Sequence, residues 1–307
     1  MKILFITAHR LGDAVISTAV LNLLQERYPR AVFTIVCGPA VESLFTAVPR
    51  CERVISLTKK RHNRHWLSLW RQSVGKCWFM VVDLRSSVVS WGLWARHRII
   101  VRGGRRPGLK IAQHARALRC ETPLMPRLWL RPEEKHAAQQ LLQSSQLLLA
   151  LAPTAGTPTK SWPARSFVQL AQRFMAEGFR PVIFYGPGEV EKHYASPIVQ
   201  ALPEALDMGG NRPLGEVACL LQRCQIFVGS DSGLMHLSAA AGVPTLGLFG
   251  PSFVSQYAPS GPYTQTLCAP GPEGQGRMEA LSVDEVFKAA QSLHHMSTHR
   301  EERKHAL

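Results

Sequence analysis

The sequence predicts an α/β protein made of two parallel, doubly wound sheets. Short apolar, β-branched runs alternate with helix-period segments along the whole chain, the pattern that strand–helix–strand units produce. The 307 residues suit two domains, at ~100–200 residues each. The hydrophobic share of 46% is enough to fill two cores, which excludes disorder for the bulk of the chain.

Each element follows from its own run of residues. In the first half, strands are expected near 2–8 (opening Lys2-Ile3-Leu4-Phe5), 31–36, 53–57, 78–83 and 97–101. Helices are expected near 13–27, 40–47, 63–73 and 132–145. The last of these opens with Arg131-Pro132-Glu133-Glu134, a proline and two acids suited to a first helical turn. In the second half, strands fall near 147–152, 181–185, 225–229 and 243–248. Helices fall near 164–177, 189–201, 213–222, 232–241 and 282–293. The expected domains are 1–146 and 147–307, the last helix being a candidate to return to the first domain. Residues 294–307 are polar and expected to fray.

Several classes are excluded. No run approaches the ~18 apolar residues of a membrane span. The start carries one basic residue and runs straight into a strand, unlike a signal peptide. The seven cysteines are scattered and form no Cys-x-x-Cys pair, which argues against a disulfide scaffold or zinc site and for a reducing cytosol.

The net charge of +15 is unevenly placed. Residues 1–150 hold 24 Lys+Arg and 8 Asp+Glu, whereas residues 151–307 hold 12 and 13. Within 59–119 there are 15 basic residues and a single acid, Asp83. Such asymmetry points to an anionic partner for the first half, although a solvated basic face is the plainer reading.

Ligands of open α/β sheets bind beyond the carboxyl ends of the strands, and three post-strand loops carry chemistry. The first runs from Thr7 through His9, Arg10, Gly12 and Asp13. Asp13 is either an N-cap or a general base, and His9 and Arg10 could meet an anionic ligand. The second runs from Pro153 to Pro163 and holds Thr157, Thr159 and Lys160. Hydroxyls, backbone N–H groups and one ammonium suit a phosphate, as does an ordinary capped turn; P-loop spacing is absent. The third is Gly229-Ser230-Asp231-Ser232-Gly233-Leu234-Met235-His236. A helix starting near Ser232 offers free N–H groups to an anion. Gly233 permits close approach, and His236 lies within the first turn. Asp231 as a plain N-cap and His236 as a buried histidine are the bland alternatives.

Together these segments resemble glycosyltransferase family nine, the ADP-heptose:lipopolysaccharide heptosyltransferases. The most specific match is Asp231-Ser232-Gly233-Leu234-Met235-His236, with Phe249-Gly250-Pro251-Ser252 after it. Gly12-Asp13 and Lys160-Ser161-Trp162-Pro163 are similar to two further family motifs, in the family's order. Ala19 stands where many members have proline, and Ser238 where a small apolar residue is usual. The resemblance implies a GT-B fold: two Rossmann-like domains facing across a cleft, with no cofactor and no required metal. It implies an inverting transfer of heptose from ADP-heptose to the lipopolysaccharide inner core, with domain closure excluding water. Asp13 would deprotonate the acceptor hydroxyl. Lys160, Thr157, Thr159, Asp231, Ser232, Gly233 and His236 would line the donor site, and Glu189 or Glu191 would hold the ribose. The absence of an Asp-x-Asp motif is consistent with metal-independent transfer.

The acceptor would then be an acidic glycolipid, and an anionic membrane surface a partner. His9, Arg10, Arg61, Arg64, Arg102, Arg105 and Arg106 are the candidate acceptor-binding residues. The stretch Arg61–Arg71 places Trp66 and Trp70 at i,i+4, so it either rests at a membrane interface or packs both rings into the domain. The expected location is cytoplasmic, peripheral on the inner membrane. Two alternatives stand: a transferase with another donor or acceptor, and a non-catalytic anionic-surface or nucleic-acid binder. Nucleic acid is not expected, because stacking Phe/Tyr signatures are lacking.

Overall fold

The computed structural model describes residues 1–101, 106–143 and 145–305, with side chains through Thr298. The chain forms two compact units, Met1–Trp129 and Leu130–Leu307.

The first unit runs β1 (Lys2–Ile6), α1 (Leu11–Arg27), β2 (Val32–Cys37), β3 (Cys51–Ser56), α2 (Arg64–Ser73), β4 (Trp78–Asp83), β5 (Ala95–Ile100) and α3 (Lys110–Ala117). Its five strands are parallel, in the order β3-β2-β1-β4-β5. A central parallel strand is covered on both faces and must be apolar throughout; Ile3, Leu4, Phe5 and Ile6 have no exposed surface. The winding reverses at β1, with β2 on one side and β4 on the other. The loops after β1 and β4 therefore flank a switch point.

The second unit runs α4 (Pro132–Leu141), β6 (Leu147–Ala152), α5 (Ala164–Ala176), β7 (Phe179–Ile183), α6 (Glu189–Ala201), β8 (Leu206–Asp207), α7 (Leu214–Leu221), β9 (Ile226–Ser230), α8 (Gly233–Ala240), β10 (Thr245–Phe249), α9 (Val254–Tyr257), β11 (Thr264–Cys268) and α10 (Val283–His305). Its sheet is also parallel, ordered β11-β10-β9-β6-β7-β8. Here the switch lies at β6, between β7 and β9. Trp162, Phe167, Phe174, Leu149 and Leu151 lie in its core. The Trp162 indole N–H donates to the Leu281 carbonyl at 3.0 Å, and its ring meets Phe167 edge-on at 5.0 Å between centroids. Full burial of such a side chain is worth roughly 1.5–3 kcal/mol, and the hydrogen bond removes the cost of burying its N–H.

The units divide at Trp129/Leu130 rather than at 146, because α4 packs on α7 of the second unit, with Ala138 and Leu142 buried. The charge division survives the correction: the first unit carries 22 Lys+Arg against 6 Asp+Glu, the second 14 against 15. The last helix packs on α5, β10 and β11 of its own unit. It runs to His305, past the expected end at 293, since no glycine or proline interrupts 283–305. The helix expected at 40–47 is a 3-10 segment, Pro39–Leu44. No expected element corresponded to α3, β8, α9 or β11.

Candidate active site

Each unit gathers a polar cluster at its own switch point. In the first, the turn after β1 is anchored by the Thr7 hydroxyl, which donates to Ser17 Oγ at 2.6 Å. Arg10 is the N-cap of α1, extended and without a side-chain cap. Asp13 is therefore the third residue of the helix and not its cap. Its carboxylate, 28% exposed, accepts from Lys110 Nζ at 2.5 Å. Lys110 is the first residue of α3, so a helix absent from the expected elements supplies the partner of the candidate base.

His114 lies beside this pair, and His9 precedes Asp13 in the loop after β1, against Gly38. His9 and His114 each have a ring nitrogen buried without a hydrogen-bond partner, Nε2 and Nδ1 respectively. Burial, then the charges of Arg85, Lys59 and His65, push His9 down to about 4. Burial and Lys110 push His114 to about 4 against the opposing pull of Asp13. Arg85, after β4, has its guanidinium 5.5 Å from the Trp66 ring centre. Burial lowers its pKa, with Asp83 and Asp13 opposing.

The His114 shift has a consequence for stability. The ring takes a proton near 6.5 when unfolded and only near 4 when folded. The unfolded state thus binds more protons between these values, so stability falls as pH drops through that window. His114→Gln, which never titrates, is expected to lose about 2–3 kcal/mol less than wild type between pH ~7 and ~4.5 in urea unfolding. Equal losses in both proteins would show that His114 is not the responsible group.

In the second unit, β6 leads through Pro153 into a 3-10 turn, Pro158–Lys160. Lys160 Nζ donates to Asp231 Oδ2 at 2.7 Å, and Asp231 is only 8% exposed. The Trp162 backbone N–H donates to Ser230 Oγ at 3.1 Å and ties this loop to β9. Ser232, not Asp231, is the N-cap of α8; it is extended and makes no side-chain cap. Its hydroxyl oxygen is buried without a partner, beside the amide end of α8 that starts at Gly233. His236, the fourth residue of α8, is buried. Thr157 and Thr159 are exposed, with hydroxyls 3.4 Å apart. After β7, Glu191 folds back to accept from the Gly186 N–H at 3.4 Å, whereas Glu189 opens α6 and is exposed. The neighbouring Tyr185 hydroxyl donates to Asp207 at 3.2 Å.

The basic candidates do not form one cluster. Arg10 is exposed at the N-cap of α1. Arg61 and Arg64 line a groove with Lys60 and Arg71. Arg106 lines another with Gln113 and Arg116. Arg102 and Arg105 lie outside the described residues. Among the described residues, no group of three or more His, Cys, Asp or Glu is placed to hold a metal, all seven cysteines are free, and no helix is long and apolar enough to cross a membrane. Lys110 and Arg85 are the two residues that sequence reasoning missed. The rule of the switch point finds Arg85 only once the strand order is known.

Comparison with known proteins gives a consistent result. The sequence model of glycosyltransferase family 9 (heptosyltransferase) matches residues 108–280. Lipopolysaccharide heptosyltransferase 2 of Salmonella typhimurium is 26% identical over 297 residues, covering 82% of this chain and 83% of that one. The structure of the E. coli ADP-heptose lipopolysaccharide heptosyltransferase II superposes with a TM-score of 0.80 at 21% identity, over 97% of this chain and 100% of the other. A family 9 glycosyltransferase from Veillonella parvula superposes with a TM-score of 0.83 at 22% identity, over 95% and 97%.

Proposed function

The chain belongs to glycosyltransferase family 9, and from that premise we propose that it is an inverting, metal-independent heptosyltransferase, moving heptose from ADP-heptose to the lipopolysaccharide inner core. The observation that carries this is the second unit's switch point, where Lys160, Asp231, the bare Ser232 hydroxyl and the amide end of α8 converge. A departing diphosphate gains negative charge in the transition state. Preorganised donors aimed at it are the most productive help a protein can give.

The acceptor binds on the first unit and the donor on the second. Asp13 takes the proton of the acceptor hydroxyl as its oxygen bonds to the anomeric carbon. The bond from that carbon to the ADP phosphate oxygen breaks, and its electron pair leaves with ADP. Attack from the face opposite the leaving group inverts the centre. Lys110 orients the Asp13 carboxylate. Lys160, Ser232 and the α8 amides receive the diphosphate, with Thr157 and Thr159 at its edge and Asp231 holding the Lys160 ammonium in place. Gly233 lets the diphosphate approach the backbone, and His236 faces the sugar from the first turns of α8. Glu189 and Glu191 flank the ribose site. His9, Arg10, Arg61, Arg64 and Arg106 meet the acidic glycolipid, and the first unit's positive charge draws the protein to the cytoplasmic face of an anionic membrane.

The test is transfer from ADP-heptose to a truncated core acceptor, alongside a thermal-shift panel of ADP, UDP and GDP. A bound ligand stabilises the native state by mass action. Stabilisation by ADP alone, with product formed, is the expected result. Binding of another nucleoside diphosphate in preference to ADP moves the reading to a different donor.

A further inference from the structure

The first unit displays three large apolar side chains within seven residues. Val88, Trp91 and Trp94 are 84%, 70% and 79% exposed. They lie on the 3-10 turn Val88–Trp91 and the three residues before β5. Between them, Val89, Ser90 and Leu93 are buried. Val88, Trp91 and Trp94 thus point outward while Val89, Ser90 and Leu93 anchor the segment.

The segment is held firmly in this pose. The buried Asp83 carboxylate accepts from the Ser87 N–H at 2.7 Å, the Ser87 hydroxyl at 2.6 Å and the Ser90 hydroxyl at 2.5 Å. The Arg98 guanidinium donates to the carbonyls of Ser90, Leu93 and Ala95. Trp70 Nε1 donates to the Gly92 carbonyl at 3.0 Å, which fastens α2 alongside. On α2 and its C-cap, Leu67, Trp70 and Val74 follow at i, i+3 and i+7, each more than a third exposed, with Arg64 and Arg71 beside Leu67. Single exposed apolar residues need no explanation, but six outward apolar side chains on two adjoining, braced elements, two of them bare indoles, mark an interaction surface.

Charge narrows the choice of occupant. Of the charged residues in 59–119, 15 are basic and one is acidic. That acid, Asp83, has no exposed surface. Among the described residues of this segment every exposed charge is therefore positive; the facing acids Glu52 and Asp13 come from other elements and pair with Lys76 and Lys110, leaving Arg64 and Arg71 beside the apolar face. A second copy meeting it across a two-fold axis would set arginine against arginine. A nucleic acid would answer the arginines and indoles but leave Val88, Leu67 and Val74 without reward. A bilayer with anionic headgroups satisfies every part: indoles at the interface, aliphatics at the acyl boundary, guanidinium groups among the phosphates.

We infer that the 88–94 platform, with the adjoining outer face of α2, is the surface by which the chain docks on an anionic lipid bilayer. It deepens the membrane clause of the proposed function and corrects the expected helix: Trp66 packs against the core and under Arg85, while Trp91 and Trp94 face outward.

The test is co-sedimentation of the full chain with phosphatidylcholine vesicles, with and without roughly one-third phosphatidylglycerol. Wild type is expected to bind the anionic vesicles only, and less at high salt. The double variant Trp91→Ser, Trp94→Ser is expected to partition at least about tenfold more weakly. Arg64→Gln and Arg71→Gln should each cost about fivefold. Circular dichroism and the melting temperature check that the variants fold. Quenching of tryptophan fluorescence by brominated lipid should appear in wild type and fall sharply in the double variant, where Trp70 is the one indole of the proposed surface that remains. Equal partitioning of wild type and double variant overturns the inference, as does binding to pure phosphatidylcholine. So does a self-association or an RNA affinity that the Trp substitutions abolish without any vesicle binding. Because no sugar enters the assay, failure here leaves heptosyl transfer to a soluble acceptor intact. Failed transfer with intact docking condemns only the enzymatic reading.

Discussion

Asp13→Asn is expected to lower the transfer rate about 10²–10⁴-fold, the range that a positioned general base contributes. The substitution keeps the size of the side chain and an oxygen for Lys110, so the local fold is preserved. It removes the one property the reaction needs, the ability to take up a proton. ADP binding belongs to the other unit in this assignment and should be unchanged by thermal shift. A rate within a few-fold of wild type would place the base elsewhere. Lys110→Met should do less harm, because Lys110 acts through the geometry of Asp13.

Lys160→Ala is expected to lower kcat about 10²–10³-fold, the usual loss when one donor to a developing anion is removed. It also strands Asp231, which is 8% exposed and has lost its 2.7 Å partner. Removing one member of a buried pair costs 3–5 kcal/mol. Lys160 itself is 31% exposed, so water can reach the site and a loss of about 1–2 kcal/mol is expected. The double variant Lys160→Ala, Asp231→Asn separates the two effects: stability should return and activity should not. If the double variant regains activity, Lys160 serves only to neutralise Asp231 and does not meet the diphosphate.

Much of the fold was legible because the determining forces are local. β1, β6 and β9 are short, continuous apolar runs, and both the class and the parallel arrangement follow from their alternation with helices. Elements whose residues do not carry the period were missed. β11, Thr264–Cys268, is an edge strand with only partly buried side chains, so its composition carries no core signal. The α3 residues mix basic and apolar types in eight positions, too few for a period to stand out. The boundary was misplaced because α4 opens with a clear helix start but nothing local says which sheet it joins.

The site was legible in parts for the same reason. Lys160, Asp231 and Ser232 sit in loops whose chemistry is visible in a few consecutive residues. The Asp13–Lys110 pair spans 97 positions, and no local pattern links its members. Asp13 illustrates how close the alternatives lay. Its reading as an N-cap depended on where α1 begins, and α1 begins two residues before it. Nothing in the sequence singled out Trp91 and Trp94, because their exposure depends on how Asp83 and Arg98, on the flanking strands, brace the segment between them.

In both sheets the strand made first stands in the middle. β1 pairs with β2 and with β4, and β6 pairs with β7 and with β9. During synthesis each of these apolar strands therefore has one edge open until a partner some 75 residues later emerges. An open, hydrophobic edge is a template for pairing with another chain, and long-range parallel pairing is slow. For the first unit the interval ends when β4 is complete at Asp83, and for the second when β9 is complete at Ser230. The vulnerable periods of this protein's life are thus two defined windows of chain growth, each closed by the strand whose terminal loop goes on to build a switch point.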